Sequence, residues 1–285
     1  MFEAIKQSLT TNKNSDGGNG LYKEILKFTP GNTYLVRLVP NPNAPKESIF
    51  SYYNHSWNSN ATGKLITAMC PTTFGDTCPI DAYYLKTYRN GTESEKEASK
   101  VLSRKEGWFV NAYVISDPTN PENEGKVKIL RYGRELNKII ESATHGDEAK
   151  DFGVEKVFDV LNGCTLRIKC ENKTDKGRAQ KILTYVASRF LNASPLEDLD
   201  EEDLEKIYES VHDLKSVNKR TTPAEMQRLL DEHFFNLSTG SVEESDDLDE
   251  QTVYQPPVQK QSTKTVTSSI IDAVSYTHLR AHETR

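Results

Sequence analysis

Four residues in the first third of the chain have the types and spacing of a small metal site: His55, Cys70, Cys78 and Asp81. Imidazole nitrogen and thiolate sulfur are preferred donors for zinc, and a carboxylate oxygen is accepted in a tetrahedral set. Fourteen residues separate His55 from Cys70, and seven separate Cys70 from Cys78. The run Cys78–Asp81 (CPID) has the form of a Cys-x-x-Cys knuckle whose last thiolate is replaced, and its turn could aim both side chains at one ion. The same residues also read as two buried free thiols, a satisfied histidine and an exposed aspartate. Spacing alone leaves both readings open. The other two cysteines, Cys164 and Cys170, sit in an alternating stretch, on one face of a strand but far apart, and read as core or surface thiols.

A second constellation interleaves rings with cations. Tyr83, Tyr84 and Tyr88 lie near Lys86 and Arg89, and Trp108 and Tyr113 lie near Arg104 and Lys105. Tyr132 stands between Arg131 and Arg134, and Tyr185 precedes Arg189. Binding of an unpaired strand needs flat rings for the bases and cations for the phosphates; stacking contributes about 1–3 kcal/mol per base and tolerates any base. Any one of these rings also reads as an ordinary half-buried residue. The interleaved set is what favours binding. There is no phosphate-binding Gly-x-x-x-x-Gly-Lys-Ser/Thr loop, no paired-histidine metalloprotease helix and no Gly-x-Ser-x-Gly elbow. The sequence places no two carboxylates as an acid/base pair.

The elements that must position these residues are mostly strands. Thr33–Val39, Ile49–Tyr53 and Trp108–Ile115 are β-branched and aromatic, and Lys126–Tyr132 returns after a turn at Asp117–Gly125, which makes a β-hairpin with a long loop. Cys164–Cys170 and Lys181–Ala187 read as a further strand pair around a basic turn, Lys173–Arg178. A helix is expected near Ile80–Lys86 and another over Leu136–Ser142, while Glu93–Lys105 reads as a loop or an exposed helix. From Ser194 the spacing turns helical, with Leu199, Leu204, Ile207, Tyr208 and Val211 in phase. Thr222, Pro223 and Glu225 form a capping box with proline at the first helical position. Strands first and helices after give an α+β order, consistent with a β-barrel flanked by helices.

Hydrophobic residues at 35% support a real core, and charged residues at 27% an extensive wet surface. No apolar run approaches the roughly 18 residues of a membrane span, and Met1–Lys6 lacks a signal-peptide layout; both favour a cytosolic protein that does not enter membranes. The net charge of −6 hides an asymmetry. Residues 1–190 carry 27 Lys and Arg against 22 Asp and Glu, and residues 191–285 carry 9 against 20. A basic body with an acidic tail suits a nucleic-acid binder whose tail competes with its ligand, and equally a solvated surface with a disordered acidic end. Residues 1–20 read as an arm, with a glycine-rich linker from Asn14 to Gly20. Residues 237–273 read as a disordered acidic linker or tail. The last twelve residues, Val274–Arg285, resemble a translated sequencing-library adapter, so the natural reading frame is expected to be cut near Ala273, with the true C-terminus missing. His278 and His282 are set aside with that segment.

Several runs resemble one family. These are Val36–Pro40 (VRLVP), Asn54–His55, Asn111–Pro118 (NAYVISDP), Pro121–Val127 (PENEGKV), Arg131–Gly133, Thr184–Tyr185 and Ser188–Asn192 (SRFLN). They are similar to the helix-destabilising single-stranded DNA-binding proteins of T-even-type tailed bacteriophages, over about residues 20 to 235. The resemblance implies an OB-fold β-barrel core at 21–236, with a zinc-binding subdomain at about 50–90 and helices at about 194–236. It implies one Zn2+ on His55, Cys70 and Cys78, with Asp81 where the family has a third cysteine; the carboxylate either completes the set or leaves the site weakened or lost. It implies cooperative self-association through an amino-terminal arm, here Phe2, Ile5, Lys6 and Leu9. The arm's basic cluster is thin, with only Lys6 and Lys13, whereas Arg104–Lys105 matches a second basic cluster in position. It implies an acidic tail that contacts phage replication and recombination proteins, and action in the cytoplasm of an infected bacterial host. The function expected is sequence-independent, cooperative binding and protection of single-stranded DNA in replication, recombination and repair, without catalysis. The competing readings are a zinc-stabilised module that recruits replication proteins without touching DNA, and a metal-dependent nuclease.

Overall fold

A computed structural model describes residues 20–174 and 181–237. The arm with Phe2, Ile5, Lys6 and Leu9, the acidic run Glu243–Glu250 and the adapter-like terminus lie outside these residues.

The main sheet is antiparallel and is organised by one long strand. Thr33–Val39 (β1), Ile49–Asn58 (β2), Leu65–Met69 (β3), Lys105–Ser116 (β4), Val127–Tyr132 (β5), Leu166–Lys169 (β6) and Arg189–Phe190 (β9) make seven strands in the order β3-β2-β4-β1-β6-β9, with β5 also on β4. A strand has two edges. Residues 108–110 of β4 pair with both β2 and β5, and residues 111–113 pair with both β1 and β5. Thus β1 and β2 lie end to end along one edge of β4, and β5 fills the other. Period-2 alternation turns Tyr34, Val36 and Leu38 of β1 inward with Val110, Ala112 and Val114 of β4.

The α+β class stands, but the order of strands first and helices after does not, because four α-helices of the described residues lie between strands. Closure into a barrel does not stand either: among the described residues no ladder joins β3, β5 or β9 to one another. Both edges of β4 are already taken, β9 is only two residues long, and the free edge of β5 meets a single bridge at Ile25. The second correction concerns the strand pair at the basic turn. Leu166–Lys169 pairs with β1 and β9, and the local hairpin is Glu171–Thr174 (β7) with Lys181–Thr184 (β8), a separate two-stranded sheet. Long-range burial beside β1 claims Leu166 and Ile168, both fully buried, so the hairpin starts after Cys170. Cys164 and Cys170 are core thiols, with no exposure. Strand β3, a five-residue run after the Gly63 turn, has no sequence signal of its own and is held by pairing with β2.

The helices are Pro79–Asn90 (α1), Glu93–Ser99 (α2), Arg134–His145 (α3), Gly153–Val157 (α4), Glu201–Glu209 (α5) and Pro223–His233 (α6); α4 has no counterpart in the sequence reading. Helix α2 resolves the ambiguity over 93–105, and it opens with a capping box from Thr92 and Glu95. Helix α3 covers the main core with Leu136, Ile140 and Ala143. A second cluster, Trp57, Ile66, Ala68, Cys70, Cys78, Ile80 and Leu102, is closed by Met226 and Leu230 of α6. None of the described helices is long and apolar enough to cross a membrane.

One close approach fixes the start of β4. The Tyr52 ring stacks on Phe109 with centroids 4.6 Å apart, and it lies over Gly107. A Cβ there would stand 2.7 Å from Cζ and the hydroxyl of Tyr52. We expect Gly107→Ala to force the ring aside and cost about 1–3 kcal/mol, read as a lower midpoint in urea unfolding. An unchanged midpoint would show that the ring yields freely.

Candidate metal centre and nucleic-acid interface

The four donor residues come from three elements that the second core cluster packs together. His55 lies within β2 and is fully buried. Cys70 follows β3 and precedes the short helical turn Pro71–Phe74. Cys78 is the N-cap of α1, and Pro79 at the first helical position starts the helix at once. That places Asp81 in the first turn, where the helix dipole favours a carboxylate.

The donor atoms lie within 4.8 Å of one another. Cys78 Sγ is 3.4 Å from His55 Nε2, Cys70 Sγ is 3.4 Å from Asp81 Oδ2, and His55 Nε2 is 3.8 Å from Asp81 Oδ1. Zinc bonds of about 2.0–2.3 Å in a tetrahedron put neighbouring donors about 3.3–3.8 Å apart, so the residues present fit such an ion. The outer partners fit as well. His55 Nδ1 donates to the Leu102 carbonyl at 2.8 Å, which leaves Nε2 with its lone pair toward the cluster. The Arg104 guanidinium donates to Asp81 Oδ2 at 3.2 Å and lies 4.3 Å above the Tyr53 ring. The Thr72 hydroxyl is 3.0 Å from Cys70 Sγ. A hydrogen bond from Cys78 brings the Cys70 thiol down, and the same bond together with burial pushes Cys78 up. Burial, then the neighbouring Cys70 charge, raises Asp81.

The aromatic and basic residues separate into groups. The β4–β5 ladder pairs Trp108 with Tyr132 and Phe109 with Arg131, so Arg104, Lys105, Trp108, Arg131, Tyr132 and Arg134 share one end of the sheet. The Trp108 and Tyr132 rings stack with centroids 5.9 Å apart. Tyr132 is buried and Trp108 half-buried, while Arg104, Lys105, Arg131 and Arg134 are exposed. Arg134 Nε is 3.7 Å from Glu106. Tyr185 joins this end from the loop after β8: its backbone N–H donates to Glu135 at 2.8 Å, and its ring meets Phe28 edge-on. On α1, Tyr84 and Tyr88 stack with centroids 6.2 Å apart, and Tyr88 is 62% exposed beside exposed Arg89.

Two rings stand elsewhere. Tyr83 packs edge-on against Phe234 and Phe235. Tyr113 lies at the far end of β4 in a pocket with Asp198, Asp203 and Lys206, where burial and the two aspartates raise its hydroxyl. Sequence reasoning missed Tyr53, Leu102 and Thr72. Tyr53 had a signal: it sits two residues before His55, on the same face of β2.

A family model described as "gp32 DNA binding protein like" matches residues 30–234. Over 209 residues, 72% of its length, the chain is 28% identical to the "Single-stranded DNA-binding protein" of Enterobacteria phage T4 and 26% identical to that of Enterobacteria phage T2. The alignments cover 66% of each of these relatives, just under two thirds of their length. The family match takes in the whole metal cluster and the β4–β5 end of the sheet, and the chain belongs to the gp32-like DNA-binding protein family.

Proposed function

We propose that this protein coats exposed single-stranded DNA during phage replication, recombination and repair, without reading its sequence. The observation that carries the reading is the concentration of exposed Arg104, Lys105, Arg131 and Arg134 at the end of the sheet that also carries half-buried Trp108, with Arg131 on the Phe109 face of the β4–β5 ladder. Cations follow the phosphates and the indole offers a face to a base. Tyr84, Tyr88 and Arg89 extend the same chemistry onto α1. Membership of the gp32-like family supports this assignment.

The remaining assignments follow from that reading. The end-to-end placement of β1 and β2 along β4 supports an OB-type core within 21–236, with the metal lobe at about 50–90 as its appendage and the helices at about 194–236 as its flank. Zinc is the ion that the donor chemistry favours, held by His55, Cys70, Cys78 and Asp81, and it would supply structural cross-linking rather than catalysis. We assign cooperative self-association to Phe2, Ile5, Lys6 and Leu9 of the arm, and contact with replication and recombination proteins to the acidic segment at 237–273. The place of action is the cytoplasm of the infected host.

Trp108 provides the test. Trp57 is only 2% exposed in the second core cluster, so the indole available to DNA is Trp108. Oligothymidine should quench the emission of the wild-type protein, and Trp108→Phe should remove the quenched component. Trp108→Ala should weaken binding by about 1–3 kcal/mol, the worth of one stacked base. Full quenching in Trp108→Phe, or wild-type affinity in Trp108→Ala, would remove this ring from the interface.

A further inference from the structure

We propose that Arg104 is a positioning residue of the metal centre and couples metal retention to strand binding through the carboxylate of Asp81. The inference rests on the zinc and DNA readings above. It begins from a chemical difference between the two kinds of fourth ligand. A thiolate offers one donor atom, whereas a carboxylate offers two oxygens on a rotatable bond, and carboxylate ligands are held by hydrogen bonds of their own. In this chain both Asp81 oxygens face the donor cluster, Oδ1 3.8 Å from His55 Nε2 and Oδ2 3.4 Å from Cys70 Sγ, and Oδ2 also accepts from Arg104 Nη1 at 3.2 Å.

Arg104 is held in turn by the Tyr53 ring, 4.3 Å from its guanidinium carbon. Tyr53 and His55 are neighbours on one face of β2. Leu102, whose carbonyl accepts from His55 Nδ1 at 2.8 Å, lies two residues before Arg104. The segment 102–104 therefore supplies the outer partner of both non-sulfur ligands. The first of these contacts is buried inside the protein. The second is not: the Arg104 side chain is 44% exposed, against 14% for Asp81.

A guanidinium has five N–H donors in a fixed fork. The bond from Nη1 to Asp81 leaves Arg104 with donors for a phosphate oxygen, so a single side chain can hold Asp81 and the strand together. Immobilising Arg104 on a phosphate then immobilises the carboxylate, which raises metal affinity and slows metal release. By reciprocity, the loaded site orients Arg104 for the strand and tightens strand binding by the factor gained in equilibrium metal affinity.

The test follows Zn2+ transfer from the full-length protein to a chromogenic pyridylazo chelator, with the visible spectrum of the Co2+-substituted protein as a second readout. Arg104→Gln should release zinc more easily by about 10–100-fold, the usual effect of losing an outer-shell partner, and shift the Co2+ bands. Arg104→Lys keeps the charge without the fork and should fall between. Oligothymidine should slow release from the wild type and leave release from Arg104→Gln unchanged. In an Asp81→Cys background, Arg104→Gln should have no effect on release. Wild-type release and spectrum in Arg104→Gln would overturn the proposal, as would an equal effect of Arg104→Gln in the Asp81→Cys background. Equal release with and without oligothymidine would overturn the coupling. A wild-type protein that holds no zinc would instead sink the metal reading beneath it.

Discussion

Cys78→Ser, or removal of metal by a strong chelator, should unfold the lobe built on β2, β3 and α1 while the main sheet persists. The reason lies in what the cluster becomes without its cation. A fully buried imidazole, two buried sulfurs and a mostly buried carboxylate would share a space in which donor atoms lie within 4.8 Å of one another. Buried charge without compensation is unfavourable, and the lobe's own apolar cluster is small. Loss of a structural metal belongs to the short list of changes worth more than about 4 kcal/mol. In a chain of this size that corresponds to a fall of roughly 8–16 °C in Tm. Trp57, buried in the same cluster, reports the event directly: its emission should move to longer wavelength as the lobe opens. Asp81→Cys should retain one equivalent of zinc and melt no lower than wild type, because a thiolate is the better donor. A Cys78→Ser protein with a full equivalent of zinc and an unshifted Tm would mean that the ion, if any, is held elsewhere.

What the sequence made legible, and what it hid, follows from the range of the forces involved. The bounds of β1 could be read from residues 33–39 because alternation and the Pro40 stop are local signals. The cap of α6 was equally local, since Thr222, Pro223 and Glu225 supply every atom of the capping box within four residues. The four donor residues were legible as a set because donor types are rare and their spacing is compact. The hidden features depend on partners far along the chain. Strand β3 exists through its ladder to β2, and residues 166–169 leave the local hairpin for β1, 130 or more positions earlier. Barrel closure was expected from the family resemblance and from an element order consistent with it, but order says nothing about which edge of β4 each strand takes. Tyr83 and Tyr113 looked like stacking rings beside cations. Their actual neighbours are Phe234 and Phe235 for the first, and Asp198 and Asp203 for the second, which no local window contains. Arg37 shows the same limit in the core. It stands in a strand that reads as apolar, yet it is fully buried and donates to the Ser194 carbonyl at 2.7 Å.

The strand-binding claim has a quantitative signature in salt. Each phosphate neutralised on a single strand releases counterions, with a slope of about −0.7 in log affinity against log salt. Arg89, Arg104, Lys105, Arg131 and Arg134 are exposed cations of the proposed interface. If all five meet phosphates the slope is about −3.5, and raising salt from about 50 to about 200 mM weakens binding roughly a hundredfold. Stacking on Trp108 should persist through that range, so quenching at saturation stays constant while the midpoint moves. Duplex DNA keeps its bases paired and offers the indole no free face, so it should bind more weakly at every salt concentration. The decisive measurement is a titration of full-length protein with oligothymidine, and with a duplex of equal length, across that series of salt concentrations. The account predicts preference for the single strand and a steep negative slope close to that value; a flat slope, or an affinity greater for the duplex, contradicts it.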